Sequence, residues 1–214
     1  MSIFLGKKVI IFDFDGTIVD SNEVKAESFG ELYFQYGEEV RNKVIEYHNQ
    51  NLGVDRFKKI AFFHKNFLGI NLKKSEIILI ADKFSKIVTS KVVKCDYIPG
   101  IIGFLDLSLR KNTVCAINTA TPEKEIREIL KKRKITKYFE IICGSPNEKS
   151  ENINIILNQI NYSKKQVVCI GDSISDYNAA KKNNIDFIGI GKQFKKEVSD
   201  KFLLKINDYK KFVL

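Results

Sequence analysis

The 214-residue sequence lacks any apolar run long enough to cross a membrane. Its longest apolar stretches, such as Val9–Phe12 and Ile77–Ala81, are far shorter than the roughly 20 residues that a membrane-spanning helix requires. The first residues carry no basic region ahead of an apolar stretch and no small-residue cleavage site. We therefore expect neither a signal peptide nor a membrane partner.

Cysteine is scarce, and the few cysteines show no pairing pattern. Cys95, Cys115, Cys143 and Cys169 form no CxxC motif, and three of them lie in apolar segments. This distribution disfavours a disulfide framework or a zinc site and favours reduced, buried thiols in a cytoplasmic protein. No internal repeat or low-complexity tract is evident either.

Acidic residues are outnumbered, with 26 Asp and Glu against 36 Lys and Arg, which gives a formal net charge of +10. Such a balance raises the question of a nucleic-acid partner. The lysines are spread along the chain, however, and the densest stretch, Lys131–Lys134, ends an apparent helix, where cations suit the helix dipole. We interpret the charge as a solvated surface that also attracts small phosphorylated molecules, and we do not expect nucleic acid to bind.

Short apolar runs alternate with helical patterns, which predicts an α/β fold with a Rossmann-like parallel sheet covered on both faces. The predicted strands are Val9–Phe12, Thr113–Asn118, Phe139–Cys143, Gln166–Ile170 and Asp186–Ile190. The predicted helices of this part are Ile101–Arg110, Glu123–Arg133, Asn152–Gln159 and Asp176–Lys182.

The strand-like runs stop between Ser21 and Cys95, where apolar residues recur at helical spacing. Three breaks around Gly37, Gly53 and Gly69 divide this segment into about four helices. We therefore predict a core domain of residues 1–20 and 96–214, with a helical domain of residues 21–95 inserted after the first strand. The two histidines of the sequence, His48 and His64, are expected to lie on helix faces or in the core of this insertion.

Polar residues follow four of the predicted strands. They are Asp13 and Asp15 after the first, Thr119 and Ala120 after the second, Lys149 after the third, and Asp172 and Asp176 after the fourth. Ligands of open parallel sheets bind beyond the carboxyl ends of the strands, so we expect these side chains to converge at one edge.

This set of side chains suits phosphoryl transfer. Asp13 and Asp15 flank Phe14, and an extended backbone directs alternate side chains to the same side. Oxygen-only ligands suit Mg²⁺, which relieves the repulsion between the carboxylates and bridges them to phosphate. Gly16 allows a sharp turn with free backbone N–H groups, and Lys149 supplies a positive charge near the phosphoryl group.

Four segments resemble the motifs of the haloacid dehalogenase (HAD) superfamily, in the family's order. They are Asp13-Phe14-Asp15-Gly16-Thr17-Ile18, Thr119 closing an apolar strand, Gly144-Ser145-Pro146-Asn147-Glu148-Lys149, and Gly171-Asp172-Ser173-Ile174-Ser175-Asp176. The third is similar to the form found in phosphoglycolate phosphatases, and the resemblance spans about residues 9–190. It implies a HAD-like core of the phosphoglycolate phosphatase and β-phosphoglucomutase type, in which the helical insertion is the first type of cap.

The resemblance also implies a role for each matched residue. Asp13 would attack phosphorus to form an aspartyl phosphate, and Asp15 would act as general acid and then base. Asp13, the backbone carbonyl of Asp15, and Asp172 would hold Mg²⁺, with Asp176 acting through water or by orienting its neighbours. Lys149 would stabilise the transferred charge. The phosphate would be cradled by the Thr119 hydroxyl and the amides of Phe14, Asp15 and Ala120.

Some of these residues also have structural interpretations. Thr119 could cap the helix that begins near Pro122, although Thr121 is the better candidate for that cap. Asp176 could simply favour a helix dipole, and Lys149 could be a surface lysine. In the insertion, Arg56 either contacts an anionic part of the substrate or forms an ion pair within the cap or at the surface.

The resemblance favours a phosphatase among the activities of the family. Asp15 argues against a dehalogenase or a phosphonate hydrolase, which lack that carboxylate, and Thr17 argues weakly against a mutase, which commonly has Val or Ile there. Two alternatives remain open: a phosphosugar mutase, and a non-catalytic protein that binds nucleic acid or another protein.

Overall fold

A computed structural model describes residues 4–191 and 204–210 of the chain. The chain divides into two compact units: Met1–Asp20 with Asp96–Leu214, and Ser21–Cys95. We call them the core unit and the helical unit.

The core unit is built on a parallel sheet with the strand order β3-β2-β1-β4-β5-β6. The strands are β1 Val9–Phe12, β2 Val114–Pro122, β3 Ile141–Ser145, β4 Val167–Gly171, β5 Asp186–Ile190 and β6 Leu204–Ile206. The predicted α/β class is therefore confirmed, and the sheet has one more strand, β6, than the sequence patterns predicted. Val9 of β1 pairs with Val114 on one side and with Val167 on the other, so the first strand lies inside the sheet.

Helices cover both faces of this sheet. In the numbering of the whole chain they are α5 Ile101–Arg110, α6 Glu123–Lys132, α7 Lys149–Gln159 and α8 Ile174–Lys182. Val9 and Ile11 of β1 pack in one apolar cluster with residues of α7 and α8. Phe12 points to the opposite face, where its ring lies 6.2 Å from the Phe104 ring of α5. This alternation explains why β1 reads as a continuous apolar run.

The helical unit contains α1 Asn22–Tyr33, α2 Glu38–Gln50, α3 Arg56–Phe67 and α4 Lys74–Lys94, with a 3₁₀ turn at Phe34–Tyr36. Its core is aromatic: the rings of Phe29 and Phe84 stack at 3.9 Å, and Phe63 packs edge-on against Phe29. Gly37 lies between α1 and α2 with φ of 95°, a conformation that favours glycine.

His48 and His64 are both buried in the helical unit, as expected for core histidines. Nδ1 of His48 lies 3.1 Å from the ammonium nitrogen of Lys59, a lysine that is itself only 2% exposed. Burial lowers the pKa of His48 well below its usual value, and the Lys59 charge adds to that effect. The imidazole is therefore neutral and accepts a hydrogen bond from Lys59.

Residues 18–20 and 96–98 run side by side in the core unit. The amide of Asp20 donates to the carbonyl of Asp96 at 2.9 Å, and the amide of Ile98 donates to the carbonyl of Ile18 at 3.0 Å. The two chain segments that lead into and out of the helical unit are thus tied to each other by backbone hydrogen bonds.

Among the described residues, no helix combines the length and the apolar character that a membrane span requires.

Candidate active site

The residues after β1 form a tight turn that presents two carboxylates. The amide of Asp13 still donates to the carbonyl of Ile170 in β4 at 2.9 Å, so Asp13 stands at the end of the sheet. Gly16 adopts φ of 70° and its amide donates to the carbonyl of Val19 at 2.8 Å. The chain reverses there, which leaves Asp13 buried and Asp15 partly exposed.

A buried lysine links residues that follow three different strands, β1, β3 and β4. Lys149 is the first residue of α7, and its ammonium lies 2.9 Å from Oδ2 of Asp13 and 2.7 Å from Oδ1 of Asp176. All three residues are at most 8% exposed. Lys149 is therefore not a surface lysine, and it neutralises part of the negative charge gathered here.

Asp176 has both oxygens engaged by protein groups. Oδ1 accepts from Lys149, and Oδ2 accepts from the hydroxyl of Ser173 at 2.5 Å and from its amide at 3.2 Å. These bonds form the capping box that begins α8. A side chain on Gly171 would meet Asp176 at 2.4 Å, so the glycine allows the carboxylate to lie against the strand.

The carboxylates of Asp13, Asp172 and Asp176 form a buried cluster whose ligand atoms lie within 4.8 Å of one another. Oxygen donors at this spacing fit a hard divalent cation such as Mg²⁺. Asp13 and Asp176 both contact the Lys149 ammonium, which offsets part of the negative charge of this cluster. The donor set therefore fits the metal that the sequence predicted.

The charges of the cluster perturb one another strongly. Burial and the Asp176 carboxylate raise the pKa of Asp13 to about 7, although the Lys149 ammonium opposes them and Asp15 adds to them. Burial by itself lowers the pKa of Lys149, but the carboxylates of Asp13 and Asp176 outweigh it and raise that pKa above its usual value. Lys149 is thus a permanent cation, whereas the charge of Asp13 responds to whatever positive group comes near.

The end of β2 brings Thr119 and Thr121 to the same edge of the sheet. Both are almost fully buried, and the amide of Thr121 donates to Oγ1 of Thr119 at 3.2 Å. The prediction that Thr121 caps α6 was wrong, because the N-cap is Pro122 and no side chain caps that helix within the described residues. The Thr121 hydroxyl instead donates to Oδ2 of Asp15 at 3.2 Å.

Sequence reasoning missed two residues that support the site. The amide group of Asn118 donates to the carbonyl of Lys149 at 2.9 Å and so fixes the start of α7. Asn152 donates to the carbonyl of Gly144 at 3.3 Å and so connects α7 to the end of β3. A polar residue inside an otherwise apolar strand, as at Asn118, was the available signal for such a role.

The remaining predicted site residues lie in different surroundings. The amide of Phe14, predicted to face phosphate, donates to Oδ1 of Asp13 at 2.7 Å, and Ala120 is half-buried at the end of β2. Arg56 belongs to the helical unit, where it is 4% exposed and its guanidinium donates to Oγ of Ser85 at 2.5 Å. The guanidinium also lies 4.9 Å from the centre of the Phe84 ring, so Arg56 is packed within its unit and is not a surface residue.

Comparison with known proteins finds one relative by sequence and several proteins of similar fold. A phosphorylated carbohydrates phosphatase from Thermotoga maritima is 26% identical over 193 residues, which cover 85% of this chain and 83% of that protein. The fold is similar to that of a β-phosphoglucomutase from Clostridium difficile, with a TM-score of 0.80 and 18% identity over 97% of this chain and 94% of the other. It is also similar to a predicted phosphoglycolate phosphatase from Haemophilus somnus, with a TM-score of 0.74 and 18% identity over 95% of each chain.

The family model of the haloacid dehalogenase-like hydrolases matches residues 10–190, which include all four sequence motifs and run from the second residue of β1 to the last residue of β5. The chain belongs to the haloacid dehalogenase-like hydrolases.

Proposed function

We propose that the protein hydrolyses a small phosphomonoester, such as a sugar phosphate or another metabolite phosphate, through an aspartyl-phosphate intermediate at Asp13. The observation that carries this proposal is the Lys149 ammonium, held between the buried carboxylates of Asp13 and Asp176 at 2.9 and 2.7 Å. A fixed cation beside a carboxylate nucleophile is what the transfer of an anionic phosphoryl group requires. The relative from Thermotoga maritima supports phosphorylated carbohydrates as the substrate class.

The reaction proceeds in two steps. In the first, a carboxylate oxygen of Asp13 bonds to phosphorus, the bond to the leaving oxygen breaks, and Asp15 gives that oxygen a proton. In the second, Asp15 takes a proton from a water molecule, the water oxygen bonds to phosphorus, and the bond to Asp13 breaks. Phosphate leaves, and Asp13 and Asp15 return to their starting states.

Asp13, the backbone carbonyl of Asp15 and Asp172 would hold Mg²⁺ in this mechanism. When bound, Mg²⁺ supplies positive charge that lets Asp13 ionise and lets an anionic substrate approach the carboxylates. Lys149 neutralises the negative charge that remains on the transferred group. Asp176 acts on the reaction through Lys149, because it fixes the position of the ammonium.

Thr119 and the amides of Phe14, Asp15 and Ala120 bind the phosphate oxygens in our proposal. Oγ1 of Thr119 already accepts a hydrogen bond from the Thr121 amide, which leaves its own proton available to a phosphate oxygen. The Phe14 amide exchanges its bond to Asp13 for one to the phosphate when the substrate arrives.

The helical unit acts as a cap in this proposal and excludes bulk water during transfer. Arg56 is the cap residue that the sequence offers for an anionic part of the substrate. Its packing on Phe84 and its hydrogen bond to Ser85 inside the helical unit favour the other interpretation, a structural role within the cap.

The direct test is the release of phosphate from an aryl phosphate by the purified chain, with and without Mg²⁺. We expect turnover that requires the metal and that the Asp13→Asn variant lacks, while its circular dichroism matches the wild type. Acid quenching during turnover should trap a phosphorylated protein that hydroxylamine dephosphorylates, as expected of an acyl phosphate. Substantial turnover by Asp13→Asn would reject Asp13 as the nucleophile.

The same assay separates the two alternative functions. A phosphosugar mutase would release negligible phosphate and would isomerise a hexose phosphate instead. A non-catalytic binding protein would show no metal-dependent turnover and would be retained on DNA in a salt-dependent manner. A screen of phosphorylated metabolites would then identify the substrate.

A further inference from the structure

Thr121 occupies an irregular strand end that faces the acid/base residue. Asn118 of β2 pairs with Cys143 of β3, and Pro122 pairs with Ser145. Between these two pairs β2 advances by four residues and β3 by only two. The additional residues of β2 bulge out of the regular ladder at the carboxyl edge of the sheet. Thr121 lies in this bulge and is 2% exposed.

The hydroxyl of Thr121 is directed at one particular oxygen. It donates to Oδ2 of Asp15 at 3.2 Å, a long hydrogen bond of the kind that often shortens when the substrate binds. A hydrogen bond to one oxygen of a carboxyl group restricts the rotation of that group. The bond from Thr121 therefore favours one orientation of the Asp15 carboxyl group.

Close packing holds Thr121 in this place. A side chain on Gly144 would lie 2.4 Å from the Thr121 carbonyl oxygen and 2.7 Å from the amide of Glu123. Such short distances mean that the backbone at the end of β3 packs directly against the end of β2. This contact holds the backbone that carries Thr121 in place and so supports the hydrogen bond to Asp15.

We propose that Thr121 is a positioning residue that orients the Asp15 carboxyl group for proton transfer to the leaving oxygen. This inference rests on the function proposed above, because it assigns Asp15 the role of general acid. Thr121 itself touches neither the phosphate nor the metal in this scheme; it acts through Asp15. Thr119, two residues earlier, binds the phosphate, so the same strand end serves both tasks.

The test uses two substrates that differ in their need for an acid. An alkyl phosphate has a basic leaving oxygen that must be protonated, whereas nitrophenolate leaves readily without a proton. The kcat/KM value reports the steps up to release of the leaving group. For Thr121→Val, which removes the hydroxyl at nearly constant shape, we expect kcat/KM to fall about tenfold or more for the alkyl phosphate and less than about threefold for nitrophenyl phosphate.

Two further variants serve as controls. Thr121→Ser restores the hydroxyl, and kcat/KM for the alkyl phosphate should return to within about threefold of the wild type. Thr119→Val removes a phosphate contact and should lower kcat/KM for both substrates by similar factors. An equal loss for both substrates in Thr121→Val, or no rescue by Thr121→Ser, would show that Thr121 is only structural.

Failure of the proposed function gives a different result, because the wild type would then release phosphate from neither substrate. In that case crystal structures of the wild type and Thr121→Val decide the matter. We expect the Asp15 carboxyl group to rotate away from its wild-type orientation when the hydroxyl is removed. An unchanged Asp15 in the variant would overturn the positioning role whatever the reaction is.

Discussion

Asp13, Lys149 and Asp176 place three ionisable groups in a site that excludes most solvent. Burial favours the neutral form of Asp13, and the raised pKa of about 7 expresses that preference. In the proposed mechanism Asp13 needs its charge to act as a nucleophile and to hold a metal, so ionising Asp13 without a bound cation lowers the stability of the folded state. This conflict between stability and function has a measurable dependence on pH.

We expect the metal-free wild type to lose stability as the pH rises from about 4 to about 7. The folded state holds a proton on Asp13 with a pKa of about 7, whereas the unfolded chain releases it near 3.8. In this window the folded state binds more protons, so the free energy of unfolding falls with pH and levels off above the folded pKa. Asn at position 13 cannot titrate, so the wild type should lose about 2–3 kcal/mol relative to Asp13→Asn between about pH 5 and pH 8. Urea unfolding of both proteins in the presence of a chelator would measure these free energies of unfolding. A difference between wild type and Asp13→Asn that does not change with pH would contradict the raised pKa of Asp13.

Asp172 and Asp176 should behave differently when each loses its charge. Asp176 is engaged by Lys149 and Ser173, so Asp176→Asn should lower kcat by about 10- to 100-fold through a misplaced ammonium. Asp172→Asn removes a proposed metal ligand, so its main effect should be a rise in the Mg²⁺ concentration that gives half-maximal activity. Mg²⁺ titrations of both variants would show the contrast. A larger loss of metal affinity in Asp176→Asn than in Asp172→Asn would reverse the two roles.

At the scale of the elements, the accuracy of the sequence predictions followed the strength of the local signal. The predicted β1 and β5 have the observed bounds: β1 is an apolar run between Lys8 and Asp13, and β5 ends before Gly191, whose φ of 85° departs from a strand conformation. β2 continues to Pro122, beyond its predicted end at Asn118, because pairing with Ser145 holds it extended despite the polar threonines. The short β6 is defined by pairing with β5, a tertiary contact that three residues of sequence cannot indicate.

The first residues of two helices also differ from the sequence predictions. α7 begins at Lys149 and α8 at Ile174, each before its predicted start, because capping boxes formed by Glu148 and Ser173 extend the first turn. The motifs predicted that Asp13, Lys149 and Asp176 share one site, because strand order and the position of strand ends are encoded by the pattern. The bond from Thr121 to Asp15 could not be predicted, because it depends on the bulge in β2.

The contact between the ends of β2 and β3 predicts opposite effects for alanine at Gly144 in β3 and at Gly103 in α5. Gly144→Ala would place a methyl group 2.4 Å from the Thr121 carbonyl, whereas Gly103→Ala in α5 would meet nothing within 4 Å. We expect Gly144→Ala to lower the free energy of unfolding by about 1–3 kcal/mol through overpacking. Gly103→Ala should raise it by about 0.5–1 kcal/mol, because alanine has the higher helix propensity. Urea unfolding would measure both free energies. An unchanged free energy of unfolding in Gly144→Ala would show that the ends of β2 and β3 move apart at little cost.

At the scale of the whole molecule, the charge distribution has two parts with opposite signs. The chain carries a net charge of +10, yet its site gathers three buried carboxylates against one lysine. A positive surface raises the local concentration of anionic ligands, and a bound divalent cation would make the site itself receptive to them. This arrangement suits a small phosphorylated substrate better than a polyanion, because the carboxylates would repel a long chain of phosphates.

The positive surface should therefore influence substrate capture and not the chemical step. Between about 0.02 and 0.5 M KCl we expect KM for a phosphate ester to rise severalfold while kcat stays within about a factor of two, because salt screens the surface charges. Replacing the exposed Lys131, Lys132 and Lys134 with Gln removes three of the ten net positive charges at positions outside the four motifs. The triple variant should show a higher KM at low salt and the wild-type KM at high salt, with kcat unchanged throughout. Steady-state kinetics at matched Mg²⁺ would measure these values. A salt effect confined to kcat would mean that the surface charge acts on the fold or the metal site instead of on the approach of the substrate.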